Sequence, residues 1–156
     1  MAIAAILKEG TGRGNVITLN PDPTEVKIAN ENLRHYTRLK ILRLHSHVYL
    51  GEIAGEVDEP VYDMIFVDGD HNNIHLDLPF WNYLRPGGLM IFHDYSPAGS
   101  WRACVPVWQT LNYLRDNILK RDFDILVADE QGVGIAGWYK RKWEVMPAFD
   151  DKLWAL

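Results

Sequence analysis

The sequence has very little cysteine and no long apolar run, and each shortage excludes a class of protein. Cys104 is the single cysteine among 156 residues, which excludes an internal disulfide and suits a reducing, cytoplasmic location. No uninterrupted apolar stretch reaches the roughly 20 residues of a membrane-spanning helix. Excess positive charge is also lacking. The net charge of −5 argues against nucleic-acid and membrane partners.

What remains is the composition of an ordinary globular domain. Hydrophobic residues make up 47% of the chain and charged residues 24%, which is enough apolar material for a buried core. No repeat, low-complexity segment or linker divides the sequence. We therefore predict a single domain over residues 1–156.

Residues 61–95 show the clearest pattern in the chain. Two short apolar runs, residues 64–67 and 89–92, lack alternation and predict strands buried on both faces. The first ends in Asp68-Gly69-Asp70-His71 and the second in His93-Asp94-Tyr95. If a crossover helix joins them, the strands are parallel and their carboxyl ends meet at one edge of the sheet. Open α/β sheets bind ligands at that edge.

The other segments extend this alternation. A helix is predicted over residues 2–9, and Thr24 is predicted to cap a helix after the first strand. Pro79 conflicts with a continuous crossover helix, so we expect a kink or a helix that starts near residue 78. The fold class is therefore a doubly wound, mostly parallel Rossmann-like α/β sheet with a C-terminal antiparallel hairpin. The remaining predicted strands cover residues 15–20, 39–44, 123–127 and 133–139, and the remaining helices start near residues 48 and 101.

The strand–Asp-Gly-Asp-His, Leu-Arg-Pro-Gly-Gly and strand–His-Asp-Tyr pattern resembles the class I S-adenosylmethionine-dependent methyltransferases. It is most similar to their small-molecule O-methyltransferase branch, over about residues 2–139. The family's first strand and glycine-rich loop would precede residue 2 and have no counterpart here. We therefore expect the chain to be a fragment that lacks a central strand. Homo-oligomers are then one expected outcome, because an unpaired strand edge promotes association.

The resemblance implies S-adenosylmethionine as cofactor and places four residues near it. Asn20 stands where the family has an acidic residue that bonds the ribose, and Asp22 is the alternative. Ser46 follows the third strand, near the expected adenine position, and Asp68 ends the strand after it. A plain turn explains Asn20 and Asp22 equally well. We interpret His45 and His47 as exposed loop histidines, because alternate residues of a strand point to opposite faces.

The resemblance also implies a divalent cation bound by Asp68, His93 and Asp94. Oxygen ligands favour Mg²⁺, whereas the nitrogen of His93 shifts the preference somewhat towards Mn²⁺, Zn²⁺ or Fe²⁺. His93 could instead be a base, and the aspartates could simply cap helices. Asp68 or His71 is predicted to take the proton of the acceptor hydroxyl.

Several polar and aromatic residues near this stretch are assigned structural roles. Asp70 is predicted to cap the helix that follows it, Asp63 to lie away from the site, and Asp77 to sit on a solvated helix face. Trp101 is the one tryptophan predicted to line an acceptor pocket, since tryptophans at helical spacing are usually core.

The predicted function is methyl transfer from S-adenosylmethionine to a hydroxyl of a small molecule, assisted by a divalent cation. Two alternatives remain open. Asp68-Gly69-Asp70 is also the DxD motif of metal-dependent glycosyltransferases, although that reading leaves the second acidic strand end unexplained. The chain could equally be a non-catalytic remnant of the methyltransferase fold.

Overall fold

The computed structural model describes residues 14–54, 59–96, 104–127 and 134–147. The chain forms two compact units, one ending at Ile53 and the other beginning at Ala54. The helix predicted over residues 2–9 and the acceptor-pocket candidate Trp101 lie outside the described residues. Among the residues that are described, no helix has the length and apolar character needed to cross a membrane.

The first unit contains two parallel strands and two helices. Strand β1 (Val16–Leu19) pairs in parallel with β2 (Leu39–Leu42). Helix α1 (Pro23–Leu33) connects them, and α2 (Ser46–Ile53) follows β2. This strand–helix–strand order agrees with the sequence prediction.

Asp22, and not Thr24 as predicted, caps helix α1. The Asp22 carboxylate oxygen Oδ1 accepts the backbone N–H groups of Thr24 at 2.7 Å and Glu25 at 2.9 Å. Pro23 at the start of the helix has no N–H to satisfy and is already set at a helical φ angle. Because aspartate is also a strong N-cap residue, the Pro-Asp-Pro-Thr sequence offered two candidates.

The second unit contains a four-stranded sheet in the order β3-β4-β6-β5. Strands β3 (Tyr62–Val67) and β4 (Leu84–Tyr95) are parallel. The hairpin of β5 (Ile125–Val127) and β6 (Gly134–Tyr139) continues the sheet in the antiparallel sense. The mixed α/β class with a C-terminal antiparallel hairpin is confirmed.

The connection between β3 and β4 is not the α-helix that the sequence suggested. Two 3₁₀-helices, His71–Leu76 and Leu78–Tyr83, form the crossover. The second starts at Leu78 with Pro79 in its first turn, where proline is tolerated. The expected helix start near residue 78 is therefore confirmed, and the helix type is corrected.

Strand β4 also passes through a Pro-Gly-Gly sequence, which ordinarily weakens or ends a strand. Pro86, Gly87 and Gly88 lie inside it, as an irregularity in its pairing with β3. Gly87 has a φ angle of +82°, which favours glycine. Its N–H donates to the Lys140 carbonyl at 2.7 Å. Lys140, next to the end of the neighbouring strand, therefore satisfies the backbone N–H of Gly87 where the pairing of β4 with β3 is irregular.

One face of this sheet forms the core of the second unit. Helix α3 (Val105–Tyr113) packs on β4 and on the first 3₁₀-helix, and it continues as a π-helical turn, Leu114–Leu119. The side chains enclosed there are less than 2% exposed and are large and apolar: Trp81, Met90, Phe92, Leu111, Leu114 and Trp138. This packing fixes β3 and β4, whose carboxyl ends carry the candidate site.

Candidate active site at two strand ends

A small pocket lies at the carboxyl ends of β3 and β4. Asp68, Gly69, Asp70 and His71 come from the end of β3, and His93 comes from β4. Its apolar wall is formed by Val67, Ile74 and Val107. The convergence expected from parallel strand ends is therefore present within this unit.

Asp68, His93 and Asp94 form a group able to hold a cation. Their candidate ligand atoms all lie within 4.8 Å of one another. The ring nitrogen Nδ1 of His93 is 3.2 Å from the Asp68 oxygen Oδ1 and 3.0 Å from the Asp94 oxygen Oδ1. Neither contact has the angles of a hydrogen bond, and Nδ1 is buried without a hydrogen-bond partner in the described structure.

This orphaned nitrogen provides the test of whether a metal fits. A buried polar atom without a hydrogen bond is costly, and the two carboxylates beside Nδ1 carry like charges, whose repulsion a cation would relieve. A divalent cation among the three side chains would satisfy all of them. One imidazole nitrogen and two carboxylate oxygens therefore form a suitable donor set.

A bulge at Asp94 explains how two consecutive residues reach one site. Successive side chains of a regular strand point to opposite faces, so His93 and Asp94 should diverge. Opposite β6, however, the pairing passes from His93–Ile135 to Tyr95–Gly134, which leaves Asp94 as the extra residue. Its φ angle is +60°, in the left-handed region that few residues other than glycine adopt. The bulge re-aims the Asp94 side chain.

Asp94 also contacts His71. The nitrogen Nε2 of His71 lies 2.7 Å from Oδ2 of Asp94, and the two side chains are 25% and 16% exposed. The two Asp94 oxygens thus face two different histidines, since Oδ1 lies beside His93. A carboxylate bound to one imidazole nitrogen fixes the orientation of the ring.

Asp70 has the capping role that was predicted for it. One carboxylate oxygen accepts the backbone N–H of Asn72 at 3.0 Å, and the other accepts from the Asn73 side chain at 2.7 Å. The hydrogen bond from the Asn73 side chain, followed by that from the Asn72 backbone, lowers the pKa of Asp70. Asp70 is not one of the three cation-ligand candidates. The second acid of the DxD pattern is thus committed to helix capping.

The prediction of a solvated face for Asp77 was wrong. Asp77 is only 8% exposed and lines the pocket. It stands between the two 3₁₀-helices, where its backbone N–H bonds to the carbonyls of Ile74 and His75. Residue spacing carries no signal for this burial, because it depends on the junction between the two 3₁₀-helices, which replace the continuous helix that was expected. The predicted structural role of Asp63 fits its position, since it is the second residue of β3 and accepts a hydrogen bond from Arg85 at 2.7 Å on the surface.

The remaining cofactor candidates lie in the first unit. Asn20 uses both ends of its amide locally, accepting the Asp22 N–H at 2.8 Å and donating to Glu25 at 2.5 Å. Asp22 uses the oxygen Oδ1 as the helix cap. Ser46 is the first residue of α2. These local bonds support the turn interpretation of Asn20, and the cap occupies one of the two Asp22 oxygens.

His45 and His47 are exposed, as expected, but His47 lies in helix α2 and not in a loop, and the two rings do not diverge. They stack with centroids 5.3 Å apart and planes inclined by 28°. Strand β2 ends at Leu42, so the alternation rule does not apply to this pair.

Comparison with known proteins agrees with this architecture. Residues 1–95 match a family model described as a methyltransferase domain. No match was found among the curated proteins. Three solved structures illustrate the likeness in fold.

An O-methyltransferase from Bacillus cereus, solved in complex with SAH, has a TM-score of 0.59 and 18% identity over 81% of this chain and 63% of its own. Cofactor-bound Rv0187 from MTB has a TM-score of 0.61 and 16% identity over 90% and 68%. The N-methyltransferase NodS from Bradyrhizobium japonicum WM9 has a TM-score of 0.61 and 12% identity over 82% and 74%.

The chain thus spans about two thirds of the length of the first two structures. At these identities the likeness concerns the fold, which is shared by proteins named for methylation of oxygen and of nitrogen. The family match covers more than half of the chain, and the Rossmann-like fold class is confirmed. The chain belongs to the methyltransferase-domain family, with the fold of the class I S-adenosylmethionine-dependent methyltransferases.

Proposed function

We propose that this chain takes part in methyl transfer from S-adenosylmethionine to a hydroxyl group of a small molecule, assisted by a divalent cation. Membership of the methyltransferase-domain family supports methyl transfer. The observation that favours a hydroxyl acceptor and a cation is the buried His93 nitrogen between Asp68 and Asp94, which lacks a hydrogen bond among the described residues.

The cation would be held by Asp68, His93 and Asp94. Bound there, it would act as a Lewis acid that lowers the pKa of the acceptor hydroxyl and orients it. Two carboxylates supply the charge that Mg²⁺ or Mn²⁺ requires, and the imidazole favours the latter. Since one strand end and one bulge fix the three side chains, little reorganisation is needed on binding.

The residues of the chain supply the proton acceptor. His71 lies 2.7 Å from Asp94 and lines the same pocket as Asp68 and His93. It is the favoured base, with Asp68 as the alternative. Holding the acceptor in line with the methyl group and excluding water would supply much of the remaining rate enhancement.

The partners proposed are a small-molecule acceptor and the cofactor. The site is rich in carboxylates and the chain carries a net charge of −5, which disfavours polyanions such as nucleic acids or an anionic membrane. On the cofactor side, Asp22 and Ser46 are the better candidates, because the Asn20 amide is already bonded.

A Mn²⁺ titration of the whole chain, followed by electron paramagnetic resonance, tests the cation site directly. Asp94→Asn and His93→Ala should each weaken Mn²⁺ binding by at least about tenfold, because the first removes the carboxylate charge and one oxygen and the second removes the imidazole nitrogen. Asp63→Asn is the matched control, since Asp63 is an aspartate at the opposite end of β3. Equal Mn²⁺ affinity in all four proteins would refute the site.

Methyl transfer is tested separately. The chain should bind S-adenosylhomocysteine in a calorimetric titration, and Ser46→Ala should weaken that binding without changing Mn²⁺ affinity. Turnover of radiolabelled S-adenosylmethionine with a panel of phenols, sugars and amines should be chelator-sensitive and confined to hydroxyl acceptors. Amine methylation that persists in chelator would contradict the proposal.

A further inference from the structure

We infer that Asp77 is a positioning residue of the proposed cation site, a role that rests on the function proposed above. Its side chain is almost fully buried in the wall of the pocket that contains Asp68, His71 and His93. A carboxylate is costly to bury, and such groups are retained where hydrogen bonds or charges compensate. Its position beside Gly69 indicates what it supports.

Asp77 lies against the turn that follows β3. Its oxygen Oδ2 is 3.2 Å from the point where a side-chain carbon on Gly69 would stand. Gly69 separates Asp68, a cation ligand candidate, from Asp70, the helix cap. We therefore infer that the Asp77 carboxylate supports the buried side of this turn at Gly69, the residue next to Asp68.

Asp77 does not use its carboxylate on the helix that it precedes. The second 3₁₀-helix begins at Leu78, and Asp77 makes no side-chain capping bond to it. Its backbone serves the helix junction: the N–H donates to the carbonyls of Ile74 and His75, and the carbonyl accepts the Phe80 N–H at 3.2 Å. The side chain is thus directed to the pocket and the turn rather than to local helix capping.

This arrangement assigns related tasks to Asp77 and Gly69. Asp77 sets the direction in which Asp68 leaves the end of β3, and Gly69 allows the close approach of the carboxylate, since a side chain there would force the two apart by a few tenths of an ångström. Cation affinity depends on ligand direction, so a change at Asp77 should reach the ion through Asp68.

The test measures Mn²⁺ affinity of the whole chain by electron paramagnetic resonance, without turnover. Asp77→Ala should weaken Mn²⁺ binding at least tenfold. Asp77→Asn should weaken it less than Asp77→Ala does, because asparagine keeps one oxygen and the shape of the side chain. Gly69→Ala should weaken Mn²⁺ binding severalfold. Gly51→Ala is the matched control, because no atom lies within 4 Å of an added side-chain carbon there. It should leave Mn²⁺ affinity unchanged.

Two further measurements separate positioning from general stability and from failure of the cation proposal. Leu78→Ala, a core truncation beside Asp77 that does not line the pocket, should lower the melting temperature without changing Mn²⁺ affinity. Amide hydrogen exchange of residues 69–71 should accelerate in Asp77→Ala even without metal.

Wild-type protein that binds no Mn²⁺ would overturn the cation site, and the exchange rates would still test the support of the turn. A folded Asp77→Ala variant with affinity within twofold of wild type, or with unchanged exchange at residues 69–71, would overturn the role of Asp77. If Asp77→Ala does not fold, unchanged Mn²⁺ affinity in Gly69→Ala would overturn it.

Discussion

Arg121 joins the segment after β6 to the rest of the second unit through a buried ion pair. Its Nε and Nη2 atoms donate to the two oxygens of Glu144 at 2.8 and 3.1 Å, and the two side chains are 9% and 10% exposed. Nη2 also donates to the Tyr139 carbonyl at 2.7 Å, and Nη1 to Asp124 at 2.5 Å. Burial opposes the charge, but the hydrogen bonds to Glu144 and Asp124 outweigh it and raise the pKa of Arg121.

Replacing Arg121 with alanine should be strongly destabilising. The Glu144 carboxylate would remain buried without its cation, and the loss of one partner from a buried pair costs about 3–5 kcal/mol. Because about 1 kcal/mol shifts the melting temperature of a chain of this size by roughly 2–4 °C, we expect a decrease of about 6–20 °C. Arg121→Lys keeps the charge but loses the two-point geometry and should be intermediate.

The matched control is Arg85→Ala. Arg85 contacts Asp63 at the same short distance, 2.7 Å, but the side chains are 52% and 81% exposed. Exposed pairs contribute about 0–1 kcal/mol, so this variant should remain near wild type. Urea unfolding followed by circular dichroism measures both free energies of unfolding. If the two alanine variants lose the same stability, burial does not set the strength of the Arg121 pair and the reasoning fails.

Three further predictions concern stability. Gly137→Ala should lower the free energy of unfolding by about 3 kcal/mol or more, because the added carbon would lie 2.2 Å from the Met90 carbonyl oxygen. Thermal unfolding of the variant and of wild type measures this difference. A decrease of less than about 1 kcal/mol would contradict the prediction. Asp22→Ala should lower the free energy of unfolding by about 1 kcal/mol, because helix α1 loses its N-cap. Urea unfolding measures this loss, and an unchanged midpoint would show that the cap does not contribute to stability. Burial lowers the pKa of Lys140, so the unfolded chain binds that proton more tightly. Wild-type stability relative to Lys140→Met should therefore rise with pH between the lowered pKa and the ordinary value of 10.5, and a flat difference in that window would refute the assignment.

The parts of the fold that local chemistry decides were predictable from the sequence. Apolar runs placed β3 and the end of β4, and the proline constraint placed the start of the second 3₁₀-helix at Leu78. The capping role of Asp70 follows from its position after a strand and before a helix. Each of these depends on a few neighbouring residues and needs no knowledge of distant contacts.

Features that depend on partners far away in sequence were not predictable. The bulge at Asp94 exists only relative to β6, about forty residues later, and sequence periodicity cannot register an extra residue in a strand. The burial of Asp77 depends on how the crossover packs beneath the Asp68 turn. Strand β4 continues through Gly87 because Lys140 pairs with it. In all three cases tertiary pairing overrides a local preference.

The chemistry assigned to the second unit can be tested apart from cofactor binding. Asp68, His71, His93 and Asp94 all lie at the ends of the parallel pair β3–β4, whereas Asn20, Asp22 and Ser46 lie in the first unit. As proposed, metal affinity therefore depends on contacts within a single sheet, and S-adenosylhomocysteine affinity tests a separate set of proposed residues. A chain that binds Mn²⁺ but not S-adenosylhomocysteine would retain the cation site without a complete cofactor site. That outcome would favour the non-catalytic remnant, whereas binding of both would favour the enzyme.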